Sequence, residues 1–294
     1  MLLPGILIIL INRKSWKMID FELNRSSCTQ CGDCLGDCPA RIIVMDADGY
    51  PAVAVDKELN CLRCQHCLAV CPMGAISILG KKAEESLSLE GWYPDPDKLE
   101  TLIKGRRSVR RFVPENLDPV LFQKLLDVAW HAPTGVNSRQ VRFTVLDDKA
   151  KVASIRDEVM GGLVRLVNEG SLPKGSEYFT RFIQIWDKHK VDLIFRDAPH
   201  MLIASAPKSV PCPKEDCMIA LSYFELFAQS CGVGTLWNGL AKWAIDDLLP
   251  ETRHLLDIPD DHLLGYAMLF GNPAVHYART VQHGPALIHR ALEL

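Results

Sequence analysis

The sequence predicts an α+β protein of two domains, a small cysteine-rich one followed by a larger one of about 200 residues. Three observations predict it. The chain has 294 residues, whereas domains commonly run to roughly 100–200 residues, so one compact core is not the default. Eight of the 11 cysteines fall between Cys28 and Cys71. Beyond that stretch, helical and strand patterns alternate over a length that fits one larger sheet-and-helix domain. With 48% hydrophobic and 23% charged residues, the composition disfavours disorder, a collagen repeat and a coiled coil. A net charge of −3 supplies no overall cationic field for a nucleic-acid backbone or an anionic membrane.

The first segment, Leu2 to Ile11, is apolar but far too short to span a bilayer, which takes roughly 20 residues. As an export signal it is poor: no basic residue precedes it, and Asn12, Arg13 and Lys14 follow it. These flanks favour a natural start at Met18 over an interfacial anchor and leave 1–20 as a tail. The cysteines then belong to a reducing compartment, which predicts a cytoplasmic protein.

Next comes a duplication. CTQCGDCLGDCP, from Cys28 to Pro39, recurs as CLRCQHCLAVCP, from Cys61 to Pro72, at an offset of 33. Between the copies, Ile42 and Val44 alternate toward an Asp48-Gly49 turn and Val53 and Val55 alternate away from it, the pattern of a short hairpin. Ile76-Ser77-Ile78 reads as a further strand. So small a unit has little apolar core, so something else must hold it together. In the spacing C-x2-C-x2-C-x3-C-P, three sulfurs share one tight loop and the fourth faces the other cluster. By that rule Cys28, Cys31, Cys34 and Cys71 hold one [4Fe-4S] cluster, and Cys61, Cys64, Cys67 and Cys38 the second. A pair of zinc sites needs only two C-x2-C pairs and leaves the third spacing, Pro39 and Pro72 unexplained. The segment 21–79 resembles a bacterial two-cluster ferredoxin, which implies a pseudo-twofold α+β domain and one-electron relay.

Residues 80–98 are charged and carry Pro94 and Pro96, which reads as a linker whose prolines interrupt regular structure. In 99–294 the helix candidates are Pro119 to His131, Asp148 to Val159, and Asp216 to Ser230, the last with Asp216 as cap. The strand candidates are Arg142 to Leu146, His200 to Ala206, and Leu264 to Phe270. Tyr178, Phe182 and Trp186 recur at helical spacing after Gly161-Gly162, a pattern read as a core helix preceded by a hinge, with a lid as the functional version. Cys212, Cys217 and Cys231 lack cluster spacing and read as small buried hydrophobes. The histidines form no metalloprotease pattern.

RRSVRRF, from Arg106 to Phe112, offers planar guanidinium forks and a hydroxyl that suit a phosphate and the polar edge of a ring. A solvated basic face is the bland alternative. Three more segments follow in order: APTGVNSRQ (Ala132 to Gln140), GVGTLWNG (Gly232 to Gly239), a glycine-rich turn, and GNPAVHYAR (Gly271 to Arg279). Together they resemble the nitroreductase-like FMN flavoprotein family. That resemblance implies an α+β sheet flanked by helices, with FMN in a homodimer interface. It implies that Arg106, Arg107, Ser108, Arg110 and Arg279 contact the phosphate, ribityl chain and pyrimidine edge. Pro133, Thr134 and Asn137 would reach the flavin from the partner subunit, and Leu236, Trp237 and Asn238 would lie along the isoalloxazine; for Trp237 simple core filling is an equal alternative. Thr134 stands where serine is frequent, and Val136 replaces a usual small residue.

Iron–sulfur clusters pass single electrons and a flavin handles one or two, so their union predicts an oxidoreductase that passes electrons to a small acceptor such as a nitroaromatic, quinone or activated alkene. The donor would be a redox protein or NAD(P)H. A non-catalytic electron carrier and a redox sensor are the alternatives.

Overall fold

The computed structural model describes residues 19–292; the Leu2 to Ile11 run and the start expected at Met18 lie outside the described residues. Two compact units are present, one reaching Tyr93 and the other beginning at Pro94.

The first unit contains β1 (Phe21–Leu23), α1 (Asp33–Gly36), β2 (Ile43–Met45), β3 (Pro51–Val53), α2 (His66–Val70) and β4 (Ile76–Ile78). Antiparallel pairs form between β1 and β4 and between β2 and β3. The duplication in sequence is a duplication in backbone. Left-handed residues recur 33 positions apart at Gln30 and Arg63 (φ 56° and 55°), Gly32 and Gln65 (84° and 61°), and Arg41 and Gly74 (49° and 58°). Four of these six carry a side chain, so each loop holds bends that its residues do not favour on their own. The expected hairpin is β2–β3, closed where Asp46 N–H donates to Tyr50 O at 2.7 Å. It ends earlier than expected, because Val55 already opens a 3-10 turn, Val55–Asn60. Ile42, Ile43, Leu68, Ile76 and Ile78 form a small core into which Cys34 and Cys67 are packed.

The second unit contains α3 (Pro96–Gly105), α4 (Pro119–Ala129), β5 (Arg142–Leu146), α5 (Lys149–Asn168), α6 (Tyr178–His189), β6 (His200–Pro207), α7 (Pro213–Ser230), β7 (Gly234–Trp237), α8 (Gly239–Trp243), α9 (Thr252–Leu255) and β8 (His262–Gly271). Its sheet is antiparallel in the order β5-β6-β8-β7. Alternate residues of β6 feed two cores. Met201 and Ile203 join α5, α6 and α8 on one face, while Leu202, Ala204 and Ala206 join α4 and α7 on the other. Helices on both faces explain why β6 reads as an unbroken apolar run.

Several expectations need correction. Pro96 does not interrupt structure; it opens α3 in the first turn behind Asp95, whose carboxylate accepts from Lys98 N–H at 3.0 Å. Gly161-Gly162 is no hinge, since α5 runs through it. A Cβ on Gly162 would stand 2.7 Å from the methyls of Leu249, so that glycine permits close packing. The face of α6 that is fully buried carries Phe179 and Ile183, one position along from the expected stripe. GVGTLWNG, read as a turn, contains β7. Asp216 is not a cap, because α7 begins three residues earlier at Pro213. Of the three remaining cysteines only Cys217 is buried, and Cys231 is exposed.

Candidate functional site

In the first unit, seven of the eight sulfurs sort into two groups by electrostatic proximity. Burial raises the Cys34 thiol, and the thiols of Cys31 and Cys71 raise it further. Burial pushes Cys67 up to about 11, with Cys61, Cys64 and Cys38 acting in the same direction. Burial likewise raises Cys61, which feels Cys64 and Cys38. Each copy of the motif therefore sends its fourth cysteine to the other copy's group, the crossing that the spacing predicts. Cys38, Cys61, Cys64 and Cys67 line one small pocket together with Ile42, Ile43 and Ile78.

The left-handed bends aim backbone donors at sulfur. Gln30 N–H donates to Cys28 Sγ at 3.4 Å and Arg63 N–H to Cys61 Sγ at 3.3 Å, related by the same offset of 33. Ala75 N–H donates to Cys71 Sγ at 3.3 Å. An all-sulfur set in an apolar wall, with N–H groups already turned toward sulfur, fits an iron–sulfur cluster. Among the described residues no three His, Cys, Asp or Glu side chains converge on a single ion.

In the second unit the arginine segment touches β7 at a single bridge. Ser108 bridges Thr235 in parallel, and Val109 N–H donates to Thr235 O at 2.8 Å. Gly234 makes the approach possible, since a Cβ there would lie 2.6 Å from Val109. Arg106 is anchored rather than free. Its Nη1 donates to Glu225 Oε1 of α7 at 3.1 Å, and the Thr235 hydroxyl donates to the same oxygen at 3.1 Å. Arg107 donates through Nη2 to Lys104 O at 2.7 Å, while its Nε is buried without a partner. Arg110 donates to Ser108 O at 3.3 Å. Arg279 lies exposed on the C-terminal segment, two residues beyond Tyr277, whose hydroxyl donates to Ser108 O at 3.4 Å. An orphaned guanidinium nitrogen beside exposed arginines fits an anionic group such as the phosphate of FMN.

Leu236 packs into the core beside α8, and half-buried Trp237 meets Tyr266 edge-on at 5.4 Å. Asn238 is spent on the fold. Its N–H donates to Ala267 O at 2.8 Å, its Nδ2 to Ile194 O at 2.9 Å, and its Oδ1 accepts from Ala241 N–H at 3.0 Å, capping α8.

The Pro133–Asn137 loop is not brought to the arginines within one chain. It is tied to the start of α7, where the buried Asp216 carboxylate accepts from Gly135 N–H at 2.8 Å and from the Ser138 hydroxyl at 3.4 Å. Asp216 and Glu225 are separated by nine residues of α7, roughly 14 Å along a helix. The loop holds Val136, Asn137 and Arg139 at φ 48°, 54° and 51°, a left-handed run that is costly for a β-branched residue. Sequence reasoning missed Asp216 as this anchor, and Glu225. Glu225 alone carried a signal, as an acid set between Phe224 and Leu226 on an apolar helix.

A family description, the nitroreductase family, matches residues 103–272, more than half of the chain. The chain belongs to the nitroreductase family. Ahead of that domain this nitroreductase-family protein carries a 4Fe-4S ferredoxin domain, matched as a 4Fe-4S dicluster domain over residues 27–76. A relative from Methanothermobacter thermautotrophicus, named for NADH dehydrogenase or NAD(P)H nitroreductase activity, is 24% identical over 209 residues, 69% of this chain and 92% of its own. A ferredoxin from Pyrobaculum islandicum is 31% identical over 71 residues, 24% of this chain and 64% of its own. The structure of a Bacteroides fragilis nitroreductase with bound FMN shares the fold at a TM-score of 0.53 and 21% identity, covering 66% of this chain and 99% of that one. Both the α+β fold expected for 99–294 and FMN-dependent nitroreductase-like oxidoreductase chemistry are thereby supported. Among the described residues no helix is long and apolar enough to cross a membrane.

Proposed function

We propose that this protein is a cytoplasmic oxidoreductase that carries electrons between two [4Fe-4S] clusters and FMN and delivers them to a small acceptor, a nitroaromatic, quinone or activated alkene. One observation carries the reading: a chain of the nitroreductase family also contains two copies of a four-cysteine motif, and the fourth cysteine of the first copy, Cys38, lines one pocket with Cys61, Cys64 and Cys67 of the second. When bound, the clusters supply one-electron transfer and FMN supplies both one-electron and hydride chemistry. Cys28, Cys31, Cys34 and Cys71 ligate one cluster; Cys61, Cys64, Cys67 and Cys38 ligate the other, with backbone N–H groups bonded to sulfur tuning them. Arg107 and Arg279 bind the phosphate, and Ser108 the ribityl chain. Arg106, fixed by Glu225, presents its remaining N–H groups to the cofactor. Arg110 would lie at the pyrimidine edge, where its charge would favour the reduced cofactor. Leu236 and Trp237 wall the ring, and Asn238 keeps that wall in place.

Separation of the Pro133–Asn137 loop from the arginines along α7 favours a homodimer in which Pro133, Thr134 and Asn137 complete the partner's site. The donor is a redox protein or NAD(P)H. Residues 21–79 and 99–294 serve as the two functional domains, with 80–98 as the linker. Anaerobic purification followed by iron, sulfide and flavin counting tests the cofactor set. About eight irons and one FMN per chain are expected; four irons, or zinc in their place, sink the two-cluster assignment.

A further inference from the structure

The two cysteine loops can be compared residue by residue, since each position of the first recurs 33 places on. Their backbones match. Gln30 and Arg63 share a left-handed bend, φ 56° and 55°, and each turns its N–H to the sulfur two residues back, at 3.4 and 3.3 Å. A short helix follows in each copy, α1 and α2, and buries Cys34 in the first and Cys67 in the second. Backbone dipoles of the loops thus act alike on both sulfur groups and do not tell them apart.

Side-chain charge does. Between Cys28 and Cys38 the charged residues are Asp33 and Asp37, whereas between Cys61 and Cys71 the permanent charge is Arg63. Both aspartates are exposed, so water and salt screen them. Arg63 is half-buried, and its neighbours Leu62 and Cys64 share a pocket with Ile42, Ile43 and Ile78, apolar surroundings that screen a charge less. The cation reaches sulfur, for it favours the thiolate of Cys61 where Cys64 and Cys38 oppose it. At the matching place Gln30 is neutral, and its amide donates to Asp48 O at 3.0 Å. The charges three residues ahead of the loops are engaged elsewhere, Arg25 by Asp46 and Asp48 and Glu58 by Ile19 N–H. Two features pull the other way: Ala75 N–H gives Cys71 a further donor at 3.3 Å, and Cys31 is exposed. Neither brings a full charge, and a full charge in an apolar setting outweighs a neutral donor.

Reduction adds one negative charge to a cluster, a nearby cation favours that change, and cluster potentials follow local charge and hydrogen bonding. We propose that Arg63 splits the potentials of two clusters that the duplication would otherwise leave alike. The cluster held by Cys38, Cys61, Cys64 and Cys67 is the more easily reduced, so an electron that enters at the other cluster moves to it, oxidising one and reducing the other with no further reactant. The inference rests on the two-cluster reading and names the residue that gives the relay its direction.

The test follows both clusters by electron paramagnetic resonance during anaerobic redox titration of full-length wild type, Arg63→Gln, Arg63→Lys and Gln30→Arg. Wild type takes up electrons in two separate one-electron steps. Arg63→Gln gives both loops an uncharged amide at this position. Its easier step becomes about tenfold harder, a midpoint about 59 mV lower for a one-electron couple, and the two steps draw together. Arg63→Lys keeps the charge and most of the separation. Gln30→Arg makes the harder step easier, which also narrows the gap, and it decides the question should Arg63→Gln fail to assemble its clusters. A gap that widens in Arg63→Gln, or steps that move less than about threefold in both Arg63→Gln and Gln30→Arg, overturns the role of Arg63 and leaves the two-cluster reading intact. A single cluster signal in wild type overturns the two-cluster reading, and the ordering of the clusters with it.

Discussion

Replacing Arg106 by Met and Glu225 by Gln, singly and together, probes the joint that fixes the arginine segment to α7. Glu225 Oε1 receives both the Arg106 guanidinium and the Thr235 hydroxyl at 3.1 Å. The Glu225 side chain is 9% exposed and that of Arg106 30%, so the two deletions are not equivalent. Arg106→Met strands a nearly dry carboxylate with one hydroxyl, the situation that costs about 3–5 kcal/mol when a buried pair loses a partner. Glu225→Gln keeps an acceptor for Thr235 and leaves a guanidinium that water reaches, so a loss of about 1–2 kcal/mol is expected. At about 2–4 °C per kcal/mol for a unit of this size, the Met variant melts roughly 6 °C lower or more and the Gln variant roughly 2–8 °C lower. The double variant recovers more than about 0.5 kcal/mol relative to the sum of the singles, because the two side chains share one bond. Thermal and urea unfolding followed by tryptophan fluorescence reads all three. Equal small losses that simply add would refute the claim that this buried pair anchors the segment.

Three other expectations are independent of it. Gly162→Ala should cost about 1–3 kcal/mol by overpacking against Leu249; a neutral effect in a urea titration would contradict close packing at that point. Asp216→Ala should cost about 1–3 kcal/mol by stranding Gly135 N–H and should weaken FMN retention on gel filtration, with Asp216→Asn largely restoring both; retention unchanged in the Ala variant would separate the loop from the cofactor. Burial pushes His200 and His262 below their ordinary 6.5, so the unfolded chain binds their protons first. Their contribution to stability is whole above about pH 6.5 and drains as pH falls toward the lowered values. Melting curves between about pH 7.5 and 5.5 should therefore slope less in His200→Gln than in wild type; identical slopes would show that His200 is not the titrating group.

Cysteine spacing was legible because ligand geometry is local: two-residue spacers and a trailing proline specify a loop without reference to the rest of the chain. The strands β5, β6 and β8 were legible for a similar reason, since their apolar runs are bounded by turn residues. What escaped depends on distant contacts. Gly161-Gly162 reads as a hinge until Leu249, far along the chain, fills the space a Cβ would take. β7 hides behind two glycines, one of which exists to admit Val109. Asp216 looks like a cap because acids favour first turns, yet its partner is the Gly135–Ser138 loop. Arg106 was read with its neighbours as a cofactor clamp, and nothing local reveals that Glu225 already holds it.

Electron passage within one molecule is the central claim, and anaerobic stopped-flow absorbance tests it most directly. A one-electron donor is mixed with wild type and with Cys34→Ser, and flavin bleaching is followed at several protein concentrations. The account predicts a bleaching phase whose rate is independent of protein concentration in wild type and lost in the variant. Bleaching that scales with protein concentration, or that is as fast without the cluster, would contradict it.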